Sequence, residues 1–146
     1  MHQVIHFQQI EHNSEDYFQS VKLRQEILRT PLGLAFTKDD LKSEALQIHI
    51  VGKSEKQIVC TASIMLFQKY CKIRQVAVQQ NLQKTGIGEQ LMTFCEEYIQ
   101  QLNIAQIEVH ARLSVADFYK KIGYTQVGEE FTEVNLLHIK MVKCLV

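Results

Sequence analysis

Between residues 71 and 102, a strand-like segment passes through a short polar loop into a long helix, and this pattern limits the folds that the chain can adopt. The segment CKIRQVAVQ (71–79) has little alternation, which is typical of a central strand. From Ile87 to Leu102, apolar residues recur every three or four positions and predict one buried helical face. A further strand-like run, IAQIEVHA (104–111), follows. This order predicts a crossover at the centre of a mixed α/β domain.

Shorter elements surround the crossover. Further strands are predicted at 4–10, 46–52, 57–68, 124–134 and 136–146, and helices at 14–31, within 32–45 and at 114–123. Capping-box spacing marks two of these helix starts, at Thr37 with Asp40 and at Ser114 with Asp117. No linker-like segment interrupts the 146 residues. We therefore expect a single domain, 1–146.

Composition excludes several classes of protein. Sixteen basic residues balance sixteen acidic ones, so the chain is not a polycationic nucleic-acid binder. Its four cysteines form no CxxC pair, which favours reduced thiols and a cytoplasmic location. No apolar run approaches the roughly 20 residues of a membrane helix, and the N-terminus does not resemble a signal peptide. The histidines have no metal-ligand spacing, so we expect no metal.

Two glycines, Gly86 and Gly88, stand at the start of the long predicted helix. The first turn of a helix has unpaired N–H groups, and a phosphate bound there accepts several hydrogen bonds at once. Lys84 adds a cation, while Gln83 and Thr85 add polar groups suited to orient the loop. A plain tight turn is the simpler interpretation of the same glycines. The pattern is neither a Walker A loop nor a Rossmann fingerprint.

Three segments resemble one family. VAVQQNLQKTGIGEQLM (76–92) resembles the acetyl-CoA motif of the GNAT superfamily of N-acetyltransferases, Q/R-x-x-G-x-G/A, through Gln83, Gly86 and Gly88. ADFYKKIGYTQVG (116–128) is similar to the family's A..FY.K.GF segment. FTEVNLLHIKMVK (131–143) is similar to the closing strands of small stand-alone bacterial members. The three occur in the family's order and span about half of the chain.

The resemblance implies the GNAT fold, a mostly antiparallel sheet with a central, splayed parallel strand pair and helices on both faces. It implies that the strand of Val76–Val78 splays from the strand of Ile107–His110. The pantetheine arm of acetyl-CoA would lie in this gap, and its pyrophosphate would bind the N–H groups that follow. The cofactor-binding residues so implied are Val76, Ala77, Val78, Gln83, Lys84, Thr85, Gly86, Ile87, Gly88, Glu89 and Phe118.

The resemblance also implies direct attack of a primary amine of a small molecule on acetyl-CoA. Tyr119, at the tyrosine of the FY pair, would protonate the departing sulfur, and an N–H near Val76 would meet the oxyanion. Some relatives carry a basic glutamate on the central strand, but CKIRQVAV has none. His110 is the predicted substitute, because histidine titrates near neutrality. Glu108, Glu133, His138 or a bound water are alternatives.

The acceptor pocket of relatives is built from the first helix and the following loop. Arg29 and Phe36 fall there, and Gln75 and His138 complete the predicted substrate-binding residues. Taken singly, Arg24, Glu26 and Arg29 also fit a solvated helix face. Rival functions are a protein or peptide N-acetyltransferase, a non-catalytic acyl-CoA-binding module and a nucleotide-binding protein. The closing strand is suited to pair across a homodimer.

Overall fold

A computed structural model of the protein describes residues 4–145. Eight strands form one sheet: β1 (His6–Ile10), β2 (Ile48–Ser54), β3 (Gln57–Leu66), β4 (Cys71–Val78), β5 (Gln106–Arg112), β6 (Thr125–Gln126), β7 (Phe131–Glu133) and β8 (Leu136–Cys144). Their order is β1-β2-β3-β4-β5-β8-β6, and β7 also pairs with β8. All pairings are antiparallel except that of β4 with β5. The sheet is the one that the resemblance implied.

Four α-helices flank the sheet: α1 (Glu15–Arg24), α2 (Lys38–Lys42), α3 (Ile87–Gln101) and α4 (Ala116–Lys121). The Ser14 side chain caps α1 by accepting from the Tyr17 N–H, and the predicted capping box of Thr37 and Asp40 is present at α2. The predicted first helix changes geometry after Arg24. It continues as a π-helical turn, Gln25–Arg29, and then as a 3₁₀ turn, Thr30–Leu32.

Helices lie on both faces of the sheet. Ile50 and Val51 are neighbours on β2, so their side chains point to opposite faces. Ile50 packs into the main core with the buried side of α3, whereas Val51 packs with Tyr17 of α1. The predicted apolar stripe of α3 is confirmed at Ile87, Leu91 and Cys95, which are buried, whereas Leu102, where the predicted stripe ends, is 42% exposed at the C-cap.

The central parallel pair opens into a gap. Only Cys71–Ile73 of β4 pairs with β5, at Ile107–Val109. Against β3, Arg74 pairs with Ser63 and Ala77 with Thr61, so two residues of β4 face one of β3. This is a bulge, and Gln75 in it has φ +55°, which bends the strand away from β5. The splayed pair is therefore confirmed, and the bulge accounts for it.

Two sequence predictions were wrong in detail. Ser114 and Asp117 form no capping box: residues Leu113–Val115 make a 3₁₀ turn, and Val115 occupies the N-cap without a side-chain hydrogen bond. The predicted strand 124–134 is broken into β6 and β7. Gly128 lies between them with φ +83°, a left-handed conformation that a continuous strand does not contain.

A buried polar network lies beneath α1. Arg24 is 1% exposed and forms a salt bridge with the buried Glu44, contrary to its prediction on a solvated face. The Tyr17 hydroxyl donates to Glu44 Oε1 at 2.6 Å, and His49 Nε2 lies 3.0 Å from the Glu44 carbonyl oxygen. The network ties the segment between the first helix and β2 to the sheet.

Candidate active site

A cleft of about 960 Å³ occupies the gap between β4 and β5. It is lined by the end of β4, the start of α3, the end of β5, α4 and the π-helical turn. Predicted site residues at its walls are Arg29, Gln75, Val76, Ala77, Val78, Gln83, Lys84, Gly86, Gly88, Glu89, His110, Phe118, Tyr119 and His138. Thr85, Ile87 and Phe36 are not among its lining residues. The fold thus brings most of the predicted residues to one place.

The glycine loop (residues 83–88) joins β4 to α3 and forms one end of the cleft. Gly86 is the N-cap of α3 and has φ +93°, a region that L side chains rarely adopt. A Cβ built there would meet nothing within 4 Å, so the space beside it is open. A Cβ on Gly88 would lie 3.4 Å from Cζ of Phe118. The backbone therefore favours glycine at position 86, whereas a Cβ at position 88 would make an ordinary van der Waals contact with Phe118.

Two side chains of the glycine loop form hydrogen bonds to backbone carbonyl oxygens just before the loop. Gln83 Nε2 donates to the Val78 carbonyl oxygen at 3.0 Å, and Thr85 Oγ1 donates to the Leu82 carbonyl oxygen. Ile87 is 4% exposed and belongs to the core. No side chain caps α3, so the N–H groups of its first turn are left for an outside acceptor. This arrangement fits a bound phosphate.

Tyr119 lies in the wall of the cleft near the gap. Its ring packs edge-on against Phe118 and Tyr124, with centroid distances of 5.1 and 5.6 Å. Within residues 4–145, the hydroxyl has no hydrogen-bond partner. Burial raises the pKa of Tyr119 well above its usual value, and the Cys95 thiol nearby adds to the shift. The phenol therefore keeps its proton at neutral pH.

His110 stands between two carboxylates. Its Nδ1 lies 3.0 Å from Glu133 Oε1, and its Nε2 lies 3.2 Å from Glu108 Oε2. Partial burial raises the pKa of Glu133, but the hydrogen bond and the charge of His110 outweigh burial and leave this pKa below its usual value. Both ring nitrogens of His110 therefore face a carboxylate oxygen.

The predicted substrate residues differ in their surroundings. His138 is buried on β8, with Nδ1 2.9 Å from the Leu136 carbonyl oxygen and its ring 6.0 Å from that of Phe131. The guanidinium of Arg29 lies 4.5 Å from the centre of the Phe36 ring. The Phe36 ring thus packs against the guanidinium of Arg29.

Sequence reasoning missed two arginines of the cleft, Arg74 on β4 and Arg112 at the end of β5. Both alternate with buried apolar residues, Ile73 and Ala111, so they belong to the opposite face of the sheet. Arg112 Nη2 donates to the Leu28 carbonyl oxygen at 2.8 Å, which ties β5 to the π-helical turn. Arg74 stands in a predicted strand and Arg112 directly follows one, but the sequence does not show which face of the sheet borders the gap.

Within residues 4–145, no three His, Cys, Asp or Glu side chains are grouped so that they could hold a metal ion. None of the helices in this part of the chain is both long enough and apolar enough to cross a membrane.

Known proteins share the fold and part of the sequence. Residues 22–145 match the family model of the acetyltransferase (GNAT) domain. An uncharacterised Bacillus subtilis protein, YyaT, is 27% identical over 108 residues, which is 74% of this chain and 72% of that protein. A candidate N-acetyltransferase from Lactobacillus plantarum superposes with a TM-score of 0.85 at 20% identity, over 98% of both chains. An aminoglycoside 6'-N-acetyltransferase in complex with coenzyme A gives 0.80 at 13% identity, over 97% of both chains. Because the family model covers most of its length, this protein belongs to the GNAT acetyltransferases, which transfer acyl groups from acyl-CoA.

Proposed function

We propose that the protein is an N-acetyltransferase that transfers an acetyl group from acetyl-CoA to a primary amine of a small molecule, by direct attack in a ternary complex. The observation that carries the proposal is the gap between β4 and β5. It opens at the bulge of β4, begins beside the uncapped start of α3 and is bordered by the protonated Tyr119.

The residues of the gap fit coenzyme A. Beyond Ile73 the edge of β4 is not paired with β5, so the backbone of Val76–Val78 can pair with the amides of a pantetheine arm. The glycine loop and the first turn of α3, from Gln83 to Glu89, would hold the pyrophosphate through N–H groups, with Lys84 nearby. Phe118, which contacts Gly88, would cover this part of the cofactor.

When bound, acetyl-CoA would supply the acyl group as a thioester. The amine must be neutral to attack, and we assign its proton to Nε2 of His110, which would turn from Glu108 Oε2 toward the amine while Nδ1 stays bonded to Glu133. The N–H of Val76, released from the sheet by the bulge, is suited to stabilise an oxygen that gains negative charge. Tyr119 would give its proton to the departing sulfur and recover one from solvent.

Direct transfer is favoured because the thiols near the site are inert. Burial raises the pKa of both Cys60 and Cys71 to about 12 and moves that of Cys95 upward as well. Cys144 is exposed at the end of β8 and is not among the lining residues of the cleft. A thiol that stays protonated is a poor nucleophile, so none of the three buried thiols suits an acyl-enzyme.

The experiment for this proposal is calorimetric titration of the purified protein with acetyl-CoA, CoA, ATP and NAD, followed by an amine panel. We expect selective binding of acetyl-CoA and CoA, and release of CoA with at least one small amine. Turnover only with peptides would favour a protein acetyltransferase, and binding without any turnover would favour a non-catalytic module. Binding of ATP or NAD in place of CoA would contradict the proposal.

A Gly86→Val variant tests the glycine loop. We expect its Kd for acetyl-CoA to rise about 10- to 100-fold, because a side chain there obstructs the charge-assisted hydrogen bonds of the pyrophosphate. The matched control is Gly128→Val, since Gly128 also has a positive φ (+83°) and open space, but does not line the cleft. Both variants should lose about 1–2 kcal/mol of stability through backbone strain. Equal acetyl-CoA affinity in the two would contradict the assignment.

A further inference from the structure

Three arginines, Arg29, Arg74 and Arg112, line one part of the cleft and are called the arginine group here. All three are half-buried. Among the described residues, no carboxylate oxygen lies within 4.0 Å of any of the three guanidinium groups. Three like charges close together repel one another, so an anion bound among them would stabilise the arginine group.

The protein holds the arginine group in place but leaves most of its hydrogen-bond donors unused. Arg112 and Arg29 each donate one bond to the Leu28 carbonyl oxygen, at 2.8 and 3.2 Å, and Arg29 also stacks on Phe36. Within residues 4–145, the Arg74 guanidinium makes no hydrogen bond. Each guanidinium has five N–H donors in a fixed plane, a geometry that matches a carboxylate or a phosphate.

The charge of the cleft differs from the charge of the whole chain. The chain is neutral, yet the cleft is lined by six lysines and arginines against two acids, Glu89 and Glu133. Glu133 is already engaged by His110. Burial lowers the pKa of Arg29, and the charges of Arg112, Arg24 and Arg74 lower it further, although Asp40 opposes the shift. An anion among these groups would relieve their mutual repulsion.

The arginine group is separated from the proposed pyrophosphate site. Arg74 and Arg112 belong to the sheet face opposite Ile73 and Ala111, which pack in the core with α3. Arg112 is bonded to the turn that follows α1, which packs against β3 and β4. The glycine loop instead adjoins α3 and Phe118 of α4. The arginine group therefore lies on the α1 side of the sheet, away from the glycine loop.

We propose that the acceptor is an amine that also carries an anionic oxyacid group, a carboxylate or a phosphate, and that Arg29, Arg74 and Arg112 bind this group while the amine faces the gap. The inference rests on the proposed function and adds the substrate class. It follows that a polycationic amine is a poor acceptor, because the same three charges repel it.

The binding test uses the full chain saturated with CoA, so that the cofactor's own phosphate sites are filled. Inorganic phosphate and acetate are titrated by calorimetry into the native protein, Arg74→Gln and Lys120→Gln. Lys120 is an exposed residue of α4 outside the cleft lining, and its variant removes the same charge. We expect Arg74→Gln to weaken anion binding about 10- to 100-fold, Lys120→Gln to change it less than about twofold, and neither to alter the Kd of acetyl-CoA.

The activity test compares matched acceptors: α-amino acids beside their amides, and O-phosphoethanolamine beside ethanolamine. We expect the anionic member of at least one pair to have the higher kcat/KM, and the pair that responds identifies carboxylate or phosphate. Amino-acid amides have the less basic amine and so the larger neutral fraction near neutral pH, and this ionisation difference by itself favours the amide over the acid.

Three results would overturn the inference while leaving acyl transfer intact. They are a preference for the uncharged acceptors, anion binding that is unchanged in Arg74→Gln, and a loss of acetyl-CoA affinity in that variant, which would assign the arginine group to the cofactor. Failure of the native protein to bind acetyl-CoA would instead refute the proposed function, and the inference with it.

Discussion

A Tyr119→Phe variant is expected to lose about 100-fold or more in kcat while its Kd for acetyl-CoA stays unchanged. The phenol borders the cleft, and burial keeps it protonated by raising its pKa. A positioned general acid typically contributes 10² to 10⁴ in rate, so its removal should cost at least about the lower figure. Within residues 4–145 the hydroxyl has no hydrogen-bond partner, so its loss should leave stability nearly unaltered.

Tyr124→Phe is the matched control, because Tyr124 packs against Tyr119 but donates its hydroxyl to Glu96 Oε2 at 2.8 Å. This second variant should lose stability and keep its kcat.

The pH profile of kcat gives an independent measurement: a tyrosine with a raised pKa keeps its proton where an ordinary phenol, of pKa about 10, begins to lose it. The native kcat should therefore not fall as the pH approaches 10. An unchanged kcat in Tyr119→Phe would remove the acid role.

The crossover and its glycine loop could be predicted because their signals are local. The 3.6-residue period from Ile87 to Leu102 is a property of one helix, and it marks the face that the core buries. A plain tight turn was one interpretation of Gly86, and the left-handed backbone found there accounts for the glycine without any ligand. The order of the three family-like segments along the chain then predicted the fold, and the order of the strands in the sheet confirms this prediction.

The parts of the site that depend on pairing between distant segments could not be predicted. The bulge at Gln75 exists only as a mismatch with Ser63 and Thr61 of β3, and no glycine marks it. The position of Arg24 in the predicted helix fits a charge at the surface. The residue is buried because Glu44, twenty residues away in the sequence, forms a buried ion pair with it. The predicted capping box of Ser114 is absent because a 3₁₀ turn precedes α4. The N-cap of α4 is therefore Val115, one residue after Ser114.

A Glu44→Ala variant is expected to lose about 3–5 kcal/mol of the free energy of unfolding, measured by denaturant or thermal melts. The change leaves Arg24 charged and almost completely buried, with its partner removed, and this is the costly way to break a buried ion pair. It also removes the acceptor of the Tyr17 hydroxyl. A loss of about 3 kcal/mol would lower the Tm by roughly 10 °C in a domain of this size.

Asp16→Ala is the matched control, since it breaks a partly exposed ion pair in which Lys53 Nζ lies 2.9 Å from Asp16 Oδ2. Ion pairs at the surface contribute about 0–1 kcal/mol, so Asp16→Ala should lower the free energy of unfolding by no more than about this amount. Combining Glu44→Leu with Arg24→Met should recover much of the loss, because it removes both buried charges together. Equal stability of Glu44→Ala and Asp16→Ala would contradict the structural role. If the role holds, Glu44→Ala should also raise the KM of the acceptor, since Arg29 lies on the turn that directly continues the helix of Arg24.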